Sequence, residues 1–167
     1  MEQGICSATV WKAADNWLYE YFDRDVGPEA LPGFEDILHL WRGKCAGRPV
    51  PALADFEFYD FTGWHGCIMM TDIFYDPFDY RFRLVGVDVV ARLGADYTGR
   101  LYSEVVCDGV NPINDFEFYE MTAHKMLISR VSGDLGWTGR EYSTATFVDF
   151  PLSDNGRMAT HFLTAMI

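Results

Sequence analysis

The stretch that decides the fold is Tyr80-Arg81-Phe82-Arg83-Leu84-Val85-Gly86-Val87-Asp88-Val89-Val90-Ala91-Arg92-Leu93-Gly94-Ala95-Asp96-Tyr97-Thr98-Gly99-Arg100. Tyr80, Phe82 and Leu84 alternate with Arg81 and Arg83, the period-2 signature of a half-buried strand. Gly86 breaks that strand. Val89, Val90 and Leu93 then fall at helical spacing, with Gly94 as the stop. A second turn follows at Thr98-Gly99. A strand running into a short helix and two glycine turns wraps a small core or a small ligand.

Working outward, His65 to Tyr75 reads as a strand with apolar residues on both faces, Cys67, Met69 and Ile73 on one and Ile68, Met70 and Phe74 on the other. Such a strand is central or covered by helices. Asp76-Pro77-Phe78-Asp79 supplies a hairpin turn into the Tyr80 strand. Upstream, Val10, Ala14, Trp17 and Tyr21 recur at three or four residues beside Trp11, Leu18 and Phe22, which predicts an aromatic amphipathic helix. Gly27-Pro28 ends it. Pro32-Gly33 opens a second helix, with Phe34, Ile37, Leu38, Trp41 and Cys45 as its stripe and Gly47 and Pro49 as its close. Downstream of Asn111-Pro112 a long helical pattern runs from Ile113 to about Val131, with Phe116, Tyr119, Ala123 and Leu127 on its buried face. The C-terminal third reads as β: a short strand from Leu135 to Trp137, then Glu141–Leu152 and Arg157–Ile167. Asn155-Gly156 between the last two predicts a tight type I′ turn. Asp-Phe-Glu-Phe-Tyr occurs at both Asp55–Tyr59 and Asp115–Tyr119, but the flanks do not match and no duplication is read.

The chain has 167 residues, 49% of them hydrophobic and 16% aromatic, enough for one globular domain with a sizeable core. Its formal net charge of -12 disfavours nucleic acid and anionic membrane surfaces as partners, because both require basic patches. Cys6, Cys45, Cys67 and Cys107 are scattered, with no C-x-x-C. The first residues show no secretory signal, and no apolar run reaches the roughly 20 residues of a membrane span. A reducing cytoplasmic setting with free thiols and no disulfide is the expectation.

Four motifs in order carry a resemblance to a family. They are Leu40–Pro51 followed by Ala54-Asp55-Phe56, the Arg-Phe-Arg-Leu-Val-Gly strand end at Arg81–Gly86, the Gly-x-Asp-x-Thr-Gly-Arg turn at Gly94–Arg100, and the Pro-Leu-Ser-Asp-Asn-Gly segment at Pro151–Gly156. From Phe34 onward the chain resembles small, mostly stand-alone bacterial PAS-like proteins. The resemblance implies an α+β fold with a five-stranded antiparallel sheet and helices on one face (residues 34–167), preceded here by a helical extension (residues 1–33). It implies a sensing or signalling role without enzymatic activity, and it names no cofactor.

Candidate chemistry is sparse. His65 and Cys67, two apart on a strand, could begin a metal site, but the sequence marks no further ligands and no metal is expected. Glu117, Glu120 and His124 lie at helical spacings of three and four, which suits an ordinary ion pair on a solvated face. No nucleophile triad or phosphate loop is present. The main candidate is an apolar pocket between sheet and helices, lined by Phe82, Leu84, Val89, Leu93, Leu101, Val105, Tyr119, Leu127, Trp137 and Phe147. It would hold a small apolar ligand, or its side chains would simply fill it. The N-terminal stripe of Val10, Trp11, Ala14, Trp17, Leu18 and Tyr21 is expected to pack on the open face of the sheet and to contribute to a symmetric homodimer. A signalling protein is a further possible partner. The leading expectation is a cytoplasmic sensor or signalling adaptor. The alternatives are a small α+β cup enzyme of isomerase or hydratase type with an acid–base pair in the pocket, and a ligand-free interaction module.

Overall fold

A computed structural model describes residues 8–14, 16–107, 115–135 and 144–167. Seven strands form one antiparallel sheet: β1 (Thr9–Ala14), β2 (Trp17–Phe22), β3 (Ile68–Phe74), β4 (Asp79–Val85), β5 (Ile128–Asp134), β6 (Thr144–Leu152) and β7 (His161–Met166). Their spatial order is β1-β2-β5-β6-β7-β3-β4. Helices α2 (Val87–Leu93), α3 (Tyr102–Cys107) and α4 (Phe116–Lys125) pack on one face, and α1 (Glu35–Gly43) lies on the other. The alternation of β6 establishes the two faces. Phe147 and Asp149 face the cavity bordered by Leu93 of α2 and Tyr119 of α4, whereas Phe150 meets Trp41 of α1 at 5.8 Å between ring centroids.

The five-stranded sheet with helices on one face and a helical N-terminal extension is therefore corrected. The sheet has seven strands, and both additional ones come from the N-terminal segment. There β1 pairs with β2, and β2 pairs with β5 from Trp17↔Gly133 to Phe22↔Ile128. The helical spacing of Val10, Ala14, Trp17 and Tyr21 coincides with a strand alternation. Trp17, Tyr19 and Tyr21 point to one face, Leu18, Glu20 and Phe22 to the other. Aromatic side chains favour the pleated surface when both periods fit a short run. Gly133 lets Trp17 lie flat on β5: a Cβ there would meet the indole at 2.3 Å and the Asn16 carbonyl at 2.7 Å.

The helix expected from Ile113 to Val131 ends at Lys125. Met126 turns the chain with φ 51°, and the Leu127 amide donates to the Thr122 carbonyl at 2.9 Å. Residues Ile128–Asp134 then form β5, with Ile128, Ser129 and Val131 buried and the others partly exposed. Leu127 and Val131 are four apart, which mimicked one more helical turn. The strand expected from His65 begins at Ile68, because His65–Cys67 is a single 3-10 turn.

Other expectations match the structure. β3 and β4 form an antiparallel hairpin, and so do β6 and β7. Gly94 ends α2 with φ 79°, which an L side chain would adopt only with strain. α1 buries Ile37, Leu38 and Trp41 beside Phe34. The β6–β7 connection differs from the tight turn predicted. It spans residues 153–160, with Gly156 at φ 72°. The Asn155 Oδ1 accepts from the Arg157 and Met158 amides, and the Ser153 hydroxyl donates to the Met158 carbonyl at 2.7 Å. The expected strand at Leu135–Trp137 and the turn at Thr138–Arg140 fall largely outside the described residues.

Two side-chain clusters fasten the layers. Arg130 on β5 grips Glu20 on β2 with both ends of its guanidinium (Nε–Oε2 2.7 Å, Nη2–Oε1 2.9 Å) and donates to the Ala30 carbonyl at 2.9 Å. Its guanidinium also sits 5.1 Å from the Phe22 ring centroid. Arg24 reaches the α4 C-terminus, donating to the Lys125 and Met126 carbonyls at 3.2 and 3.3 Å. Arg42, at the end of α1, donates in turn to the Arg24 and Val26 carbonyls at 2.9 and 2.7 Å.

Candidate functional site

Under α2 and α4 lies a cavity of about 60 Å³. Each bound water occupies roughly 10–15 Å³ on this measure, so the space holds a few waters or a ligand of a few heavy atoms. Sheet register builds its floor. Ser129, Asp149, Thr164 and Met69 are successive cross-strand partners on β5, β6, β7 and β3. Phe162, Thr71 and Phe82 form a second such row across β7, β3 and β4. Tyr80 comes from β4 beside Phe82. Leu93 closes α2, Tyr97 follows the Gly94 turn, and Tyr119 descends from α4.

Aromatic rings form most of the wall, and they contact one another. Tyr80 meets Phe82 edge-on at 5.6 Å and Tyr119 edge-on at 5.7 Å, and Phe82 meets Tyr97 at 5.6 Å. Tyr80 also stacks on Tyr102 at 4.5 Å, which fixes its ring from behind.

The polar groups in this wall set its chemistry. Asp149 is buried and its two carboxylate oxygens each accept one hydroxyl: Oδ1 from Thr164 at 2.5 Å and Oδ2 from Ser129 at 2.9 Å. Burial pushes its pKa above the usual carboxylate range, against the lowering effect of the two hydroxyls. Burial likewise raises Tyr80 and Tyr119 well above an ordinary phenol. The Thr71 hydroxyl and the Tyr97 phenol are buried at 3% and 2% exposure and have no hydrogen-bond partner. Buried polar groups are normally paired, and an orphan costs about 1–3 kcal/mol.

Of the residues expected to line a pocket, Phe82, Leu93, Tyr119 and Phe147 border the cavity. Val89, Val105 and Leu127 are buried elsewhere in the core, and Leu101 is half-buried, bridging to Arg81. Leu84 is 45% exposed on the opposite face, because an irregularity in the β3–β4 register pairs it with Met70. Trp137 lies outside the described residues. The reading from sequence missed Thr71, Tyr97, Asp149 and Thr164. Asp149 had a signal: it is the lone acid in an apolar strand, two residues from Phe147 and therefore on the same face.

The N-terminal stripe is spread over two faces and one edge. Trp17 is buried, and Trp11, half-buried, meets Tyr19 at 6.2 Å and Phe118 of α4 at 5.3 Å. Leu18 and Tyr21 are half-buried, and Val10 is exposed. Ala14 belongs to the backbone of β1.

His65 and Cys67 do not converge. The His65 imidazole stacks on Phe58 and pairs with its carbonyl at 2.7 Å, while the Cys67 thiol lies 3.6 Å from Asp88. Among the described residues no group of three His, Cys, Asp or Glu could hold a metal. Cys45 and Cys67 are free thiols. Glu120 and His124 form an exposed pair at 3.8 Å, and Glu117 is exposed beside them. Among the described residues no helix is long and apolar enough to cross a membrane.

A second hollow lies on the α1 side, an open groove of about 320 Å³ whose walls include Phe58, Phe61, Met70 and Leu84. No protein-family model, curated protein or solved structure matches this chain.

Proposed function

We propose that this chain is a small-molecule receptor whose ligand occupies the cavity over Asp149. The observation that carries the reading is the pair of buried, unpartnered hydroxyls, Thr71 Oγ1 and Tyr97 OH, in the wall of one mostly apolar cavity. A core that merely filled the space would replace them with apolar groups at a gain in stability. A ligand with an apolar body and a polar end gives them partners. The motif order that resembles small bacterial PAS-like proteins supports the same sensory role. Occupancy favours one placement of α2, Tyr97 and α4 over the sheet, and this population shift is the signal.

Native mass spectrometry of the purified chain tests this reading, together with thermal shifts against small alcohols, phenols, carboxylates and amines. The expected result is a small-molecule adduct or a saturable shift that disappears in Leu93→Trp, which fills the space. A wild-type chain that retains nothing and responds to no compound supports the ligand-free interaction module instead.

Asp149 gives weight to a second reading, the cup enzyme, because a buried carboxyl next to phenols is suited to proton transfer. It ranks below the receptor, since both Asp149 oxygens are already held by hydroxyls. Proton–deuterium exchange into a bound ketone, abolished by Asp149→Asn, would favour the enzyme.

A further inference from the structure

We infer that the ligand is a compact organic cation, a small alkylammonium that places its charge against Asp149 and its hydrocarbon within the aromatic wall. The inference rests on the receptor reading above and adds the ligand's chemical class.

Three observations converge on it. Six aromatic rings border the cavity: Tyr80, Phe82, Tyr97, Tyr119, Phe147 and Phe162. The faces of such rings carry negative electrostatic potential and attract a desolvated cation. Secondly, Asp149 provides a carboxyl at the floor, and among the described residues no Lys, Arg or His lines the cavity. The nearest arginine in sequence register, Arg130, projects from the opposite face of β5 and is committed to Glu20. A buried carboxylate without a cationic partner is costly, and a ligand cation would supply the missing charge. Thirdly, the free groups match an ammonium head. The Thr71 and Tyr97 hydroxyl oxygens can each accept an N–H bond, and each Asp149 oxygen keeps a lone pair beyond the one used by Thr164 or Ser129. The chain's net charge of -12 also concentrates cations around it.

An anionic ligand is disfavoured by the same groups, since it would face Asp149 without a counter-charge. A neutral ligand would pair the two hydroxyls but leave the aromatic wall and the carboxyl without electrostatic use.

The test compares two probes that match in shape and differ in charge, tert-butylammonium and tert-butanol. Each has five heavy atoms, which suits the cavity. Binding is followed by methyl NMR at Met69, Thr71 and Thr164, whose side chains border the space, in wild type and in Asp149→Asn. The expected result is that tert-butylammonium shifts these methyls and binds about tenfold more tightly than tert-butanol. In Asp149→Asn the ratio falls to about one. The wild-type comparison stands alone if that variant fails to fold.

Equal or tighter binding of tert-butanol at these methyls overturns the cationic class and leaves the receptor reading standing. Ammonium binding that leaves these methyls unmoved, or that Asp149→Asn does not weaken, overturns the class as well. No shift with either probe at saturating concentration overturns both the class and the receptor.

Discussion

Tyr97 carries a phenolic hydroxyl that the folded chain buries without a partner. Removing it should therefore help the empty protein and harm binding. Tyr97→Phe is expected to raise the stability of the ligand-free chain by about 1 kcal/mol, read by urea denaturation. A loss of stability instead would show that the hydroxyl has a partner after all. Asp149 makes a pH-dependent contribution. Its folded pKa is raised by burial, so the protonated folded form is favoured. That stability is fully present below the ordinary carboxylate range and is lost as pH rises through the raised value. The titratable groups nearest to it, Tyr80 and Tyr119, are pushed above ordinary phenols and do not ionise in that window. Asp149→Asn should therefore abolish this decline, so that the variant gains on wild type between acidic and neutral pH in thermal melts. Parallel pH profiles for the two proteins would show that Asp149 ionises as easily as an exposed carboxylate.

The N-terminal hairpin is held by specific contacts, and each can be broken separately. Glu20 is 6% exposed, and its bidentate pairing with Arg130 joins β2 to β5. Glu20→Leu leaves a guanidinium largely buried, at an expected cost of about 2–4 kcal/mol, somewhat discounted because Arg130 is partly exposed. Glu20→Leu combined with Arg130→Leu should recover at least half of that loss. Chemical denaturation of Glu20→Leu, Arg130→Leu and the double variant provides the comparison, and additive losses would mean that the pair is not coupled. Gly133 supports the same junction from below. Gly133→Ala displaces the Trp17 indole and should cost about 1–3 kcal/mol. An unchanged Trp emission spectrum and midpoint would show that the strand absorbs the methyl group freely.

These elements also show which parts of the molecule were legible in sequence. The elements of the Tyr80–Gly94 stretch were read correctly because strand alternation, helical spacing and a glycine stop follow one another without overlap, but the register irregularity that turns Leu84 to the other face has no sequence signal. Residues 9–22 were misread because Val10, Ala14, Trp17 and Tyr21 satisfy both periods, and tertiary pairing with β5 decided between them. The first half of β5, residues 128–131, was absorbed into a helix because its strand character depends on Met126 adopting a left-handed turn that its side chain does not announce. At the site, Phe82, Leu93, Tyr119 and Phe147 were found from apolar alternation. Asp149, Thr71 and Tyr97 were missed because a search for apolar positions passes over polar ones. Cross-strand register brings Asp149 and Thr71 into one wall, and the turn after α2 adds Tyr97.

At the scale of the whole molecule, the N-terminal segment completes the sheet of its own chain. Trp17 is buried against β5 within one chain, and Trp11 packs on α4. Trp17→Glu is therefore expected to unfold the protein, since its carboxylate would be buried without a partner. Circular dichroism and sedimentation separate the outcomes. A folded monomer derived from a wild-type dimer would show that Trp17 serves a second copy instead.

The Arg24 and Arg42 hydrogen bonds carry a mechanical consequence. They form a strap around the sheet: Arg24 holds the carbonyl end of α4 on one side, and Arg42 at the end of α1 holds the backbone of Arg24 from the other. A tug on α4 by whatever sits beneath Tyr119 thus reaches α1 through four hydrogen bonds and one short stretch of chain, without deforming the sheet. The two layers are geared together at that point. Cutting the strap with Arg24→Ala should let amide exchange in α1 proceed independently of the occupancy of the cavity, whereas in the intact protein the two should rise and fall together.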